Sequence, residues 1–130
     1  MKYLSEMKEL TKAEEQVMQI MWEIEKGFVK DIIAKMDEPK PAYNTISTIV
    51  RILETKGFIG HKEYGKSHRY FPIIRKKDYS KERMNEMVKN YFGNSASQVV
   101  SFFAKNKNME MKEVDEIIKL LEDLKSKNHD

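Results

Sequence analysis

Residues 40–77 hold an apolar helical stripe that runs directly into a β-rich run, and few folds accommodate that order. Ile46, Ile49, Val50 and Leu53 recur at i, i+3, i+4 and i+7, the period of one helix face. Gly57 stops the helix, with Lys56 in its last turn. Residues 58–64 and 68–74 follow at once. Both are rich in β-branched and aromatic residues, and they flank Gly65, Lys66 and Ser67, a turn sequence. A helix followed without a linker by a tight hairpin is expected.

The same window concentrates the charge. It carries nine Lys and Arg against two acids, Glu54 and Glu63, a formal +7. Residues 1–39 come to −3 and residues 78–130 to −1, against +3 for the whole chain. Clustered cations, rather than net charge, govern affinity for a phosphate backbone. The helix side away from the stripe carries Asn44, Ser47, Thr48, Arg51 and Thr55, short hydrogen-bonding groups and one Arg. A merely solvated face would carry a run of Glu and Lys. Asn pairs with adenine, Arg with guanine, and a Thr methyl meets a thymine methyl in the major groove. Lys62, Lys66, His68 and Arg69 gather near the hairpin tip, where they would grip phosphates. A basic hairpin beside such a helix is the wing of a winged helix.

The segment before the window supplies the other helices of that fold. Thr11 and Glu14 form a capping box. Val17, Ile20, Met21 and Ile24 continue at helical spacing, and Gly27 is expected to end the helix. Trp22, the only tryptophan, reads as a packing aromatic rather than a base-stacking one. A second helix is expected over 29–36, broken by Pro39 and Pro41. Residues 1–10 read as a lead-in. The expected fold is mainly α with a small β-hairpin: a winged helix-turn-helix domain over 1–77, then a helical dimerisation region over 78–130.

That second region is read from its apolar residues. Asp78 or Ser80 is expected to cap a helix reaching about Phe92. Gly93, Asn94 and Ser95 form a turn and cap, and Lys105 to Asn108 a loop. Val99, Val100, Phe102 and Phe103 mark a short apolar helix, and Val114, Ile117, Ile118, Leu121 and Leu124 stripe the last one. Three short helices bury so many large residues poorly among themselves. An apolar face left over in this way marks an interface, here with a second copy of the chain.

Several activities are set aside. No run of eighteen or more apolar residues exists, so no direct membrane insertion is expected, and the first ten residues do not read as a signal peptide. Cysteine is absent, which removes disulfides and thiolate metal sites and fits a cytoplasmic protein. Gly60, Gly65, Lys66 and Ser67 stand at P-loop spacing, but a P-loop leads into a helix and these lead into aromatics, Ile73, Ile74 and Pro72. His61, His68 and His129 show no metal-ligand spacing, and His61 and His68 read as hairpin surface residues. Nothing resembles a nucleophile turn. No enzyme activity, cofactor or metal is expected.

Three stretches taken together, LTKAEEQVMQIMWEIEKGFVKDIIAKM, YNTISTIVRILETKGFIGHKEYGKSHRYFPII and YFGNSASQVVSFFAKN, resemble the penicillinase-repressor family of bacterial regulators, the BlaI/MecI type. The resemblance implies a dimeric winged-helix repressor on a palindromic double-stranded DNA operator. It implies derepression by proteolysis, triggered through a membrane sensor-protease that detects β-lactams. Carried over residue by residue, the recognition helix contributes Asn44, Thr45, Ser47, Thr48 and Arg51. The wing contributes Lys62, Lys66 and Arg69. The family's cleavage point lies between Asn and Phe, and the matching positions are Ser101 and Phe102, so Ser stands where the family has Asn. The alternative is a winged-helix module for protein–protein interaction, using the apolar C-terminal half; the uneven charge speaks against it.

Overall fold

The computed structural model describes residues 9–106 and 109–128. Its elements are α1 (Lys12–Ile24), α2 (Val29–Ala34), α3 (Tyr43–Thr55), β1 (Ile59–Tyr64), β2 (Ser67–Pro72), α4 (Lys76–Tyr91), α5 (Ala96–Asn106) and α6 (Met111–Asn128). Three helices followed by a two-stranded antiparallel hairpin make a winged helix. The chain divides into two compact units, one ending at Arg83 and the other starting at Met84, so α4 belongs to both. The expected lead-in at 1–8, the loop residues 107 and 108, and His129 lie outside the described residues.

In the first unit α1 begins with the reciprocal cap its sequence implies. Thr11 Oγ1 accepts from the Glu14 amide at 3.2 Å, and Glu14 Oε1 accepts from the Thr11 amide at 3.0 Å. Gly27 does not end the helix. Glu25 takes a positive φ of 67°, and its amide donates to the Met21 carbonyl. Gly27 serves instead as an extra strand residue: its amide donates to the Tyr70 carbonyl at 3.0 Å and its carbonyl accepts from the Tyr70 amide at 2.8 Å. A Cβ there would sit 2.9 Å from Ile24 Cδ1 and 3.1 Å from Asp31 Cβ, so the close approach requires glycine.

The second helix is shorter than its period predicts. It ends at Ala34, and the amides of Lys35 and Met36 reach the Ile32 and Ile33 carbonyls in tighter, i−3 turns. The stripe of α3 is buried as expected at Ile46, Val50 and Leu53. These meet Val17, Met18 and Met21 of α1, Ile32 of α2, and Phe58 and Ile59 at the start of the hairpin. Each such side chain contributes about 1.5–3 kcal/mol on burial.

The hairpin register pairs Ile59 with Pro72, His61 with Tyr70, Lys62 with Arg69, Glu63 with His68 and Tyr64 with Ser67. Ser67 is therefore a strand residue, and the turn is only Gly65 and Lys66. Gly65, at φ +61°, supplies the positive φ that a two-residue hairpin turn needs at its first position. The strands are shorter than the expected 58–64 and 68–74. Pro72 has no amide to continue the ladder, and the amides of Ile73 and Ile74 turn back to the Phe58 carbonyl.

Beyond the hairpin, α4 begins at Lys76, so Asp78 and Ser80 lie inside it rather than capping it. Tyr79 is buried, 5.5 Å from the Phe58 ring and 5.8 Å from Trp22. Trp22 Nε1 donates to the Ile74 carbonyl at 2.9 Å. Trp22 is thus a packing residue whose polar edge is satisfied within the fold.

In the second unit the chain turns at Gly93 and Asn94, both at positive φ, and Ser95 Oγ accepts from the Gln98 amide to open α5. Lys105 and Asn106 continue that helix, where a loop was expected. Phe102 packs edge-on against Phe92 at 5.7 Å and against Phe103 at 5.7 Å. Among the described residues from Met84 onward, no side chain is fully buried.

Candidate nucleic-acid interface

The interface is built on α3. Its apolar stripe is fixed inward, so the opposite side must face solvent. Asn44, Thr45, Thr48 and Arg51 are exposed and Ser47 is half-buried. Thr48 Oγ1 donates to the Asn44 carbonyl at 2.8 Å, and Thr55 Oγ1 to the Arg51 carbonyl at 3.0 Å. Those hydroxyl protons are committed to the helix, which leaves Thr48 a methyl and lone pairs to present outward. The outward donors here are the Asn44 amide, the Thr45 and Ser47 hydroxyls and the Arg51 guanidinium.

The hairpin has two chemically different faces, because its side chains alternate. One carries Lys62, Tyr64 and Arg69. The Arg69 guanidinium lies 4.6 Å and the Lys62 ammonium 5.7 Å from the centre of the Tyr64 ring. These two cations are cross-strand neighbours that would repel; the aromatic face between them offsets part of that cost. Lys66 stands apart from the pair, at the exposed tip. The sequence expectation of one basic cluster thus resolves into a pair on one face and a single cation on the turn.

The other face looks toward α3. His61 and His68 stack with ring centroids 4.1 Å apart and planes 5° from parallel. His61 Nδ1 lies 2.5 Å from Glu54 Oε2 of α3, which ties the wing to the helix. Glu63 Oε1 is 3.9 Å from His68 Nε2. One ligand atom each from His61, Glu63 and His68 falls within 4.8 Å of the others. The linear sequence showed no metal-ligand spacing here because the hairpin register, not the sequence separation, juxtaposes these groups.

Between α3 and the hairpin lies an open cleft of about 630 Å³, lined by Ser47, Arg51 and Glu54 on one side and Lys66, Ser67 and His68 on the other. Lys30, Tyr43 and Tyr64 also border it. Sequence reasoning named none of these three. Tyr43 is 59% exposed although it continues the stripe of Ile46 and Val50 toward the helix start. Its position on the apolar period disguised it, since the stripe runs past the end of the core.

In the second unit, Phe102, Phe103, Ile118, Leu121 and Leu124 are exposed, and Val99, Val114 and Ile117 are partly covered. The peptide bond between Ser101 and Phe102 lies inside α5.

The family model described as penicillinase repressor matches residues 10–123. The chain belongs to the penicillinase repressor family. Members of this family are transcriptional regulators, not enzymes. The match runs from the residue before the α1 cap into α6, so it spans both units of the family fold. The Penicillinase repressor of Bacillus licheniformis is 22% identical over 120 residues, covering 92% of this chain and 94% of that protein. The Methicillin resistance regulatory protein MecI of Staphylococcus aureus (strain N315) is 24% identical over 114 residues, covering 87% and 93%. Among solved structures, the DNA binding domain of the repressor BlaI aligns with TM-score 0.49 and 26% identity, covering 56% of this chain and 90% of that one. The monomeric form of Bacillus licheniformis BlaI in complex with the blaP half-operator aligns with TM-score 0.47 and 26% identity, with the same coverage. Among the described residues, no helix of this family member is long and apolar enough to cross a membrane.

Proposed function

We propose that this penicillinase-repressor family member is a dimeric repressor that binds a palindromic double-stranded DNA operator. In this reading α3 enters the major groove and the wing holds the flanking backbone. The observation that carries the reading is the placement of the +7 window: Ile46, Val50 and Leu53 face the core, and Asn44, Thr48 and Arg51 remain exposed beside a cationic hairpin. Asn44, Ser47, Thr48 and Arg51 read bases. Thr45, Lys62, Lys66 and Arg69 hold phosphates.

Two copies joined through α5 and α6 set the two recognition helices about one helical turn of DNA apart, or a multiple of it. Val99, Phe102, Phe103, Val114, Ile117, Ile118, Leu121 and Leu124 supply that contact. The repressor acts in the cytoplasm, and a membrane sensor-protease relieves it by cutting between Ser101 and Phe102. That bond lies within a hydrogen-bonded helix, so cleavage requires local unwinding of α5. A chain cut there that still dimerised and bound operator at full affinity would end the cleavage proposal.

Selection of bound duplexes from a random pool identifies the operator, and Arg51→Ala then tests the readout. If Arg51 makes a bidentate base contact, the variant loses about 1–3 kcal/mol on operator DNA and little on random duplex. Equal loss on both would remove Arg51 from base readout. A wild-type chain that ignored duplex DNA at low salt would instead favour a protein-interaction module built on the exposed apolar helices.

A further inference from the structure

The face of the hairpin turned toward α3, with the helix side that meets it, gathers histidine, which is scarce in the chain, and carboxylate, which is scarce in the basic window. Of three histidines in the sequence, two are here, His61 and His68. Residues 40–77 hold only two acids: Glu63 is on this face, and Glu54 meets it from α3. A surface suited to phosphate gains nothing from carboxylates placed among its cations, so their position asks for another role. Glu63 stands directly across the ladder from His68, and His61, two residues before Glu63, is diagonal to His68.

We propose that His61, Glu63 and His68 bind a divalent transition-metal cation of the zinc class, with Glu54 as the group that orients His61. Their ligand atoms already lie within 4.8 Å of one another. Two imidazoles and one carboxylate suit Zn²⁺, Cu²⁺ or Ni²⁺, whereas Mg²⁺ and Ca²⁺ take all-oxygen sets. Glu54 Oε2, 2.5 Å from His61 Nδ1, accepts a hydrogen bond from an N–H there and leaves the lone pair on Nε2. A carboxylate on the far nitrogen of a ligating histidine is the usual supporting arrangement. The cation would offset the two carboxylates that the cationic window otherwise surrounds.

The side chains have room to close on an ion. Glu63 is 74% and His68 39% exposed, while the backbone that carries them is a paired ladder. The stack itself must change. A metal lies in the plane of each ring it binds, and rings 5° from parallel cannot both aim at one ion. Binding therefore turns one imidazole out of the stack, which gives a residue-specific signal. The cation site is independent of DNA binding and is accessible to test in the free protein.

Titration of the full chain with ZnCl₂ in a non-chelating buffer, followed by calorimetry and by NMR of the histidine rings, provides the test. One equivalent is expected to bind saturably, with shifts at His61 and His68 and none at His129. His61→Gln and His68→Gln abolish that step, Glu54→Gln weakens it about tenfold, and MgCl₂ leaves the rings unmoved. The site is overturned by any one of three results: no saturable uptake, ring shifts confined to His129, or unchanged affinity in His68→Gln. Because the ring shifts are read in the unaltered chain, poor folding of a variant cannot mask the answer.

Discussion

Glu14 shows how much a single side chain can carry. It is only 5% exposed, and its Oε1 accepts both from the Thr11 amide and from Lys56 Nζ, at 2.6 Å. It therefore caps α1 and joins that helix to the end of α3. Burial alone would raise its pKa, but the hydrogen bonds from Lys56 and the Thr11 backbone, with the Lys56 charge, outweigh burial and hold it below the usual carboxylate value. A carboxyl depressed in the folded state stabilises the protein fully above its unfolded pKa, about 4.3, and loses that contribution as pH falls through the lower folded value. Glu14→Gln is expected to cost about 2 kcal/mol in urea unfolding at neutral pH, the range of a hydrogen bond to a charged group. The gap to wild type should shrink below about pH 4. A pH-independent gap would show that the ion pair contributes nothing. The capping box was legible in the sequence because its partners are three residues apart. Lys56, forty-two residues away, was not.

At the scale of elements, the hairpin divides its labour between faces. Lys62 and Arg69 share an aromatic neighbour, the histidines and Glu63 face α3, and Lys66 projects from a two-residue turn. Lys66 has the least structural duty among these cations. Lys66→Ala is expected to weaken binding on every duplex sequence and to lower the slope of log affinity against log salt by about 1. An unchanged slope in filter binding across salt would take the wing tip out of the phosphate contacts. The existence and type of α1 and α3 were readable from their apolar period, and the hairpin from two β-branched and aromatic runs about a glycine turn. Their ends were not, because ends depend on distant partners. Gly27 pairs with Tyr70 instead of capping α1, and Pro72 truncates the ladder. Lys105 and Asn106 extend α5 despite their polarity.

For the whole molecule, the second unit leaves its largest apolar residues uncovered within one chain, with Ile118 48% and Leu121 54% exposed. About half of each side chain is already covered, so leaving the rest in water forgoes about 1 kcal/mol each, which a second copy would recover. Ile118→Lys is expected to shift sedimentation from dimer to monomer and to weaken binding to a full operator at least tenfold. Affinity for a half-site should stay within about twofold, since the first unit has its own core. A variant that stayed dimeric would move the interface elsewhere. The sequence by itself determined what rests on neighbours within a few residues: helix periods, the cap of α1, the turn of the wing, and the concentration of cations in one window. Tertiary structure alone decided what rests on residues brought together across the chain. It set Glu14 against Lys56, split the basic hairpin into two unlike faces, and gathered Glu54, His61, Glu63 and His68. Local periodicity fixes which side of an element turns inward, but only strand register and helix packing fix which outward groups become neighbours.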